Sequence, residues 1–308
     1  MSASLEERVL FTNRCRSLEE SGLDTMCASL EGGAQLTAGF SDASYTPVRV
    51  AVRAMATRFE IVLGGESAAR LRAAGEAALQ EIVDCHRRFT RFAPDSLLSH
   101  IVRTAERRPV RLDRDSFEMF RDALTIQEAT GGAFSISMTA EPAFALDPET
   151  CAIRLLRSGS TLDLGAIAKG HALELAARSL REAGVSCALL HGGTSSVIAI
   201  GAPPGSRGWG IALAHAPALG QLLLRDRALS VSSTDGATRI SAHRRHHLED
   251  ARDGGISLPP RFAVVAGPCA RGADAWATAI AILGERPASL GAQWSTWMSP
   301  ADARSYPP

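Results

Sequence analysis

Apolar positions along the chain fall into two periods, and the switches between them mark out its elements. From Val48 to Val52, and again at Phe59, Ile61 and Leu63, apolar residues alternate with polar ones around Met55-Ala56-Thr57, which predicts a hairpin or two sequential strands. From Ser67 to Arg88 the spacing changes. Leu71, Ala74, Ala78, Leu79, Ile82 and Val83 recur at three and four residues with Arg and Glu between them, predicting an amphipathic helix. Further helices are expected over 115–130, stopped by Gly131-Gly132, over 166–183, closed by Gly184, and over 272–283, closed by Gly284. Strand patterns cover 185–190, 196–200, 210–214, 221–224, 228–231 and 262–265.

Strand-rich stretches interrupted by helices, rather than strict alternation, predict an α+β fold of antiparallel sheets with packed helices. Residues 1–45 have mixed polarity, no sustained period and a run of small residues from Gly32 to Ser44, so a poorly ordered N-terminal extension is expected there. One folded domain should then occupy 46–290, with a tail over 291–308.

Composition narrows the function classes. The chain has 308 residues, 45% hydrophobic and 21% charged, enough for a substantial core. Lys plus Arg equals Asp plus Glu at 33 each, so no global field favours nucleic acid or an anionic membrane, and a small-molecule or protein substrate is expected. No stretch reaches the roughly 20 apolar residues of a membrane-spanning helix. Residues 1–10, MSASLEERVL, lack the apolar core of a secretory signal, so a cytoplasmic location is expected. The six cysteines are scattered without a CxxC pair, the pattern of free thiols.

Three glycine-bearing segments join strands to helices, where backbone amides can meet a phosphate. Gly165 and Gly170 have P-loop separation, but His171-Ala172 stand where Lys and Ser/Thr would be needed. What remains is a helix start with Asp163 as its cap and Lys169 in the first turn, opposing the helix dipole and so requiring a partner. An anionic ligand is one such partner; a solvated lysine on an ordinary turn is the alternative. In Leu190–Val197, Gly192 and Gly193 would let a ligand approach the backbone, and the hydroxyls of Thr194, Ser195 and Ser196 offer donors and acceptors, although small-residue turns between strands are common. Asp274 and Thr278, four residues apart, share one helix face and offer a carboxylate and a hydroxyl to a hard cation such as Mg²⁺, or the aspartate serves the helix dipole. His246–Gly254 is rich in His and acids. Adjacent histidines on a strand point apart, which disfavours zinc and leaves a single His as general base, or a polar surface turn.

Taken in order, these segments resemble the ApbE-like FAD:protein FMN transferases. Met55-Ala56-Thr57 is similar to that family's Met-Gly-Thr, Phe92–Leu97 to its turn ending Asp-Ser-Glu-Leu, and Thr130–Phe134 to its Thr-Gly-Gly-Ala-Phe. Asp163–Gly170 is the nearest match, followed by His247–Gly254 against His-Ile-Ile-Asp-Pro-x-Thr-Gly and Ala273–Thr278 against Ala-Asp-Ala-x-x-Thr. The resemblance covers about residues 47–285. It implies FAD as substrate and Mg²⁺ held by the Ala168 carbonyl, Asp274 and Thr278. It further implies FMN transfer to a Thr or Ser hydroxyl of a target flavoprotein with release of AMP. His247 takes the position of the base, with Asp250 next, and Met55, Asp163, Gly165, Lys169, Gly170, Gly192, Gly193 and Thr194 become FAD-binding candidates. There are departures: Phe-Asp-Pro-Thr reads Phe134-Ser135-Ile136-Ser137, and the usual Asn-x-Gly-Gly-Asp reads His191-Gly192-Gly193-Thr194-Ser195. These keep open an FAD pyrophosphatase yielding FMN and AMP, and a non-catalytic FAD-binding protein.

Overall fold

The computed structural model describes residues 25–29, 34–39, 47–213, 221–234, 248–254 and 262–298. Along the chain run β1 (Thr25–Ser29), β2 (Ala34–Gly39), β3 (Val48–Ala54), β4 (Thr57–Leu63), α1 (Ala68–Phe89), α2 (Leu97–Thr104), β5 (Val110–Arg111), α3 (Arg114–Ala129), β6 (Phe144–Asp147) and β7 (Ala152–Leu155). They are followed by α4 (Ala168–Glu182), β8 (Ala188–Gly192), β9 (Ser196–Ile200), β10 (Trp209–Leu213), β11 (Gln221–Leu224), β12 (Arg227–Ser233), β13 (Phe262–Gly267), α5 (Ala270–Leu283) and β14 (Ser295–Met298).

The frame is a seven-stranded antiparallel sheet in the order β14-β13-β12-β9-β8-β4-β3. Side chains alternate across it, and both faces are covered. Phe59, Ile61, Leu63, Leu190, Ile198 and Val265 enter the core that includes the helices α1, α3, α4 and α5. Their neighbours Val62, Leu189, Val197, Leu229 and Val264 enter a second core with Trp209, Ile211, Leu213 and Leu224 of the four-stranded sheet β1-β2-β10-β11. Burial on both faces explains why every residue of β8 and β9 is buried and why these strands read as continuous apolar runs.

Local chemistry fixes the ends of the elements. The side chains of Ser67, Ser96 and Asp113 cap α1, α2 and α3, and Gly284, at φ 72°, ends α5 in the left-handed conformation. Met55 and Ala56 turn the β3–β4 hairpin with φ of 49° and 56°, the two positive values that a two-residue hairpin loop of matching twist requires.

Three expectations change. Residues 25–29 and 34–39, inside the segment expected to be poorly ordered, are paired strands, and β2 adds to the edge of β10. Within the expected tail, β14 pairs with β13. The third helix starts at Ala168, and Asp163 does not cap it: the cap position is Ile167, without a side-chain hydrogen bond, while Asp163 Oδ1 accepts from the Gly165 amide at 2.8 Å in a turn of its own. Among the described residues, no helix is long and apolar enough to cross a membrane.

Candidate functional site

The N-terminal ends of α4 and α5 meet at Gly170. A Cβ there would lie 2.3 Å from the Ala270 carbonyl oxygen, so only glycine lets the two backbones approach this closely. Glu174 accepts a hydrogen bond from the Ala270 amide, supplying the start of α5 with the cap that Cys269 does not. One turn on, Asp274 faces this junction and is 2% exposed.

The strand parity that sends Ile198, Ile200 and Ala228 into the helical core also points Ser196, Ser230 and Ser232 at α5. Ser196 and Ser230 are direct cross-strand partners. Asp274 Oδ2 accepts from the Gly170 amide at 3.1 Å, and Oδ1 lies 3.1 Å from each of the Ser196 and Ser230 hydroxyls. Ser230 is also 2.9 Å from the Ser195 carbonyl, so its one proton is shared between two acceptors. The Lys169 ammonium lies 3.6 Å from Asp274 Oδ1 and 3.3 Å from the Gly165 carbonyl. Thr278 donates to the Asp274 carbonyl at 3.2 Å and meets the Ser232 hydroxyl at 3.1 Å. Four elements thus converge on one buried carboxylate: α4, β9, β12 and α5.

This brings together Lys169, Gly170, Asp274 and Thr278, with Ala168 beside Lys169 as the first residue of α4. The partner that Lys169 requires is the carboxylate of Asp274. Asp163 does not join them: partly exposed, it forms an ion pair with Arg91 at 2.9 Å. The glycines 192 and 193 are occupied by the protein itself. A Cβ on Gly192 would strike the Phe59 ring at 2.6 Å, and one on Gly193, at φ 61°, would strike the Thr57 hydroxyl at 2.4 Å. Their lack of side chains therefore serves packing against β4 beside the Met55 turn, while Thr194 is half-buried.

Asp250 is held differently. Its carboxylate takes the Arg252 amide and guanidinium at 2.6–3.1 Å, and this pairing lowers its pKa, making it a poorer proton acceptor. The loop sits beside the Thr130–Phe134 turn through an Ala251 amide to Ala133 carbonyl contact at 3.5 Å. His247 lies outside the described residues.

Two histidines that sequence reasoning passed over are buried. His171 packs edge-on against Phe89 at 5.8 Å, and burial, aided by the Arg271 charge, pushes its pKa down to about 3. His191, on the opposite sheet face, has its Nδ1 3.2 Å from the Gly193 carbonyl, and burial lowers its pKa as well. His171 is thereby too weak a base for work near neutral pH, and His191 is buried on the face of the sheet away from Asp274. Burial likewise raises the Cys85 thiol to about 12, the value of an inert core residue.

The sequence also carried a feature that motif reading overlooked: of the 33 Lys and Arg residues, Lys169 is the only lysine.

No curated protein matches the chain in sequence. Among solved structures, the flavin transferase ApbE from Vibrio cholerae superposes with a TM-score of 0.64 at 16% identity, covering 83% of this chain and 98% of that one. The ApbE protein from Thermotoga maritima gives 0.66 at 18% identity, covering 78% and 87%. The flavinyl transferase ApbE from Pseudomonas stutzeri, in its apo form, gives 0.62 at 17%, covering 78% and 86%. At these identities the likeness establishes the fold. The ApbE family itself matches residues 55–294, most of the folded region, with the hairpin turn at one end and the Asp274 helix near the other. The chain belongs to the ApbE family.

Proposed function

We propose that the protein binds FAD with Mg²⁺ and transfers its FMN half to a Thr or Ser hydroxyl of a target flavoprotein, releasing AMP. The observation that carries this reading is the buried Asp274 carboxylate at the convergence of four elements, in a family whose solved members include flavin transferases. The donor set fits the metal: one carboxylate, the Thr278 hydroxyl and the Ala168 carbonyl are all hard oxygens, suited to an ion that keeps several waters. When bound, Mg²⁺ neutralises charge on the pyrophosphate.

The remaining work falls to the chain's own groups. Gly170, Ser196 and Ser230 fix the carboxylate so that little reorganisation is needed when the pyrophosphate arrives. Met55, Asp163, Gly165 and Thr194 lie on the segments assigned to the FAD. In the reaction the acceptor oxygen bonds to the FMN phosphorus, the bond from that phosphorus to the bridging oxygen breaks, and AMP leaves. The acceptor's proton goes to a base. His247 is assigned that role, since Arg252 weakens Asp250 for it.

Incubation of the protein with FAD and Mg²⁺, with and without a candidate flavoprotein, tests the reading by following AMP and protein-bound FMN. Transfer gives AMP and bound FMN only with the acceptor. AMP with free FMN in its absence selects the pyrophosphatase instead, and FAD binding without AMP under either condition selects the non-catalytic protein.

A further inference from the structure

The single lysine in a chain otherwise cationic through arginine stands 3.6 Å from the carboxylate at the centre of the site. Its side chain is 23% exposed while that of Asp274 is 2% exposed, so the ammonium lies on the solvent side of the pair. Gly170, Ser196 and Ser230 hold the carboxylate from within the protein. The solvent side, occupied by Lys169, is the side from which an ion would approach.

Composition does not explain a lysine here, but the chemistry of the two cations does. A guanidinium forks bidentately onto a carboxylate and holds it, as Arg178 holds Asp115 at 2.6 and 2.7 Å in this protein. An ammonium is a point charge on a flexible stem, able to neutralise a buried carboxylate and then swing away. At 3.6 Å its contact with Asp274 is looser than the Arg178 fork, and its second partner is a carbonyl rather than another acid.

We propose that Lys169 is an exchangeable counter-ion: it neutralises Asp274 and competes with a divalent cation for that carboxylate, yielding when the cation binds. Ser196, Ser230 and the Gly170 amide keep the carboxylate in place through the exchange. The inference rests on the metal assignment above and adds a role for Lys169 within it.

Mn²⁺ serves as the probe, with binding measured by calorimetry and by the paramagnetic resonance of the free ion, in the full-length protein without flavin. Lys169→Met should bind Mn²⁺ about tenfold more tightly than wild type, because one repelling charge a few ångström from the ion is removed in a partly screened site. Lys169→Arg should bind it more weakly, because the fork does not yield. A purely structural lysine would not give opposite signs for these two variants. Because no other lysine is present, the native protein supplies a second readout: amine acylation mapped by mass spectrometry reports on Lys169, with the chain's α-amino group as internal control. Mn²⁺ should speed Lys169 labelling severalfold.

Mn²⁺ binding that is lost in Asp274→Asn but equal or weaker in Lys169→Met, or labelling that Mn²⁺ leaves unchanged or slows, overturns the counter-ion role while leaving the metal site standing. Mn²⁺ binding by neither wild type nor Lys169→Met overturns both.

Discussion

Two aspartates, Asp274 and Asp250, are built in opposite ways. Asp274 is gripped by groups from α4, β9 and β12, with partners 104, 78 and 44 positions away in sequence, so its orientation is a product of the whole fold. Asp250 closes on Arg252, two residues along, and its geometry belongs to one turn. A carboxylate held by distant elements is rigid because moving it would separate helices and strands that share a core. One held within a turn is as rigid as that turn. The first arrangement suits a group that must already be aligned when charge develops, and the second suits a loop that accommodates a partner.

The largest effect should come from Asp274→Ala. Besides abolishing Mg²⁺-dependent AMP release, it leaves the buried Gly170 amide and Ser196 hydroxyl short of an acceptor and deprives Lys169 of its counter-charge. A stability loss of about 3–4 kcal/mol, from the two buried donors left unpaired, is expected in urea unfolding. A variant as stable as wild type would mean that Asp274 is no hub, and the contrast with Asp250 would collapse.

Gly170→Ala tests the same junction without touching a charge. Its methyl would meet the Ala270 carbonyl at 2.3 Å, a backbone atom that cannot swing away, so α4 and α5 must part. About 3 kcal/mol should be lost, at the upper end of ordinary overpacking, together with Mg²⁺ affinity. Gly254→Ala, in the Asp250 loop, has nothing within 4 Å of its added methyl and only the penalty of its φ of 67°. Equal losses in the two variants would show that the helix contact is not tight.

How much of this was legible in the sequence follows from the same distinction. β9 and β11 lie over the residues expected, because their apolar runs are continuous, and α5 starts two positions before its expected start. The small sheet of β5, β6 and β7 went unseen because its strands, two to four residues long, show neither a period nor a run of large aliphatic residues such as the three leucines of β11. Asp163 looked like a helix cap because an acid before glycine reads the same whether it caps a helix or closes a turn. At the site, the Asp274–Thr278 spacing was readable since it is local to one helix. Ser196 and Ser230 were not, because their meeting depends on the register between β9 and β12.

A third contrast is between Asp250, which titrates beside Arg252 within its own turn, and His171, which titrates from inside the helical layer. Burial holds His171 neutral down to about 3, whereas the unfolded chain takes up its proton near 6.5. The unfolded state therefore binds more protons throughout that window. His171's contribution is complete above pH 6.5 and is lost as pH falls towards 3. Between pH 6.5 and pH 5 the loss should be about 2 kcal/mol. Urea unfolding of wild type and His171→Gln at the two pH values measures it, and the variant should lose correspondingly less over the same interval. Parallel losses would place the acid sensitivity elsewhere.

The smallest effect should be at Asp250. Its pKa is lowered chiefly by hydrogen bonds from Arg252, so the pairing is intact above the ordinary aspartate range and fades as pH falls through the lowered value, with the opposite ionisation from His171. Arg252 is largely exposed and solvent screens the pair, so Asp250→Ala should cost less than about 1 kcal/mol at pH 7. Its effect on turnover separates two roles. If Asp250 only shapes the turn, Asp250→Asn, which keeps hydrogen bonds to Arg252, should restore most of the transfer rate lost in the alanine variant. If Asp250 is itself the base, asparagine should be as inactive as alanine, and the rate should then rise with pH through the ionisation of the carboxyl in the wild type alone. Rescue by asparagine leaves the proton to His247 and confirms the division between a carboxylate set by the fold and one set by its own turn.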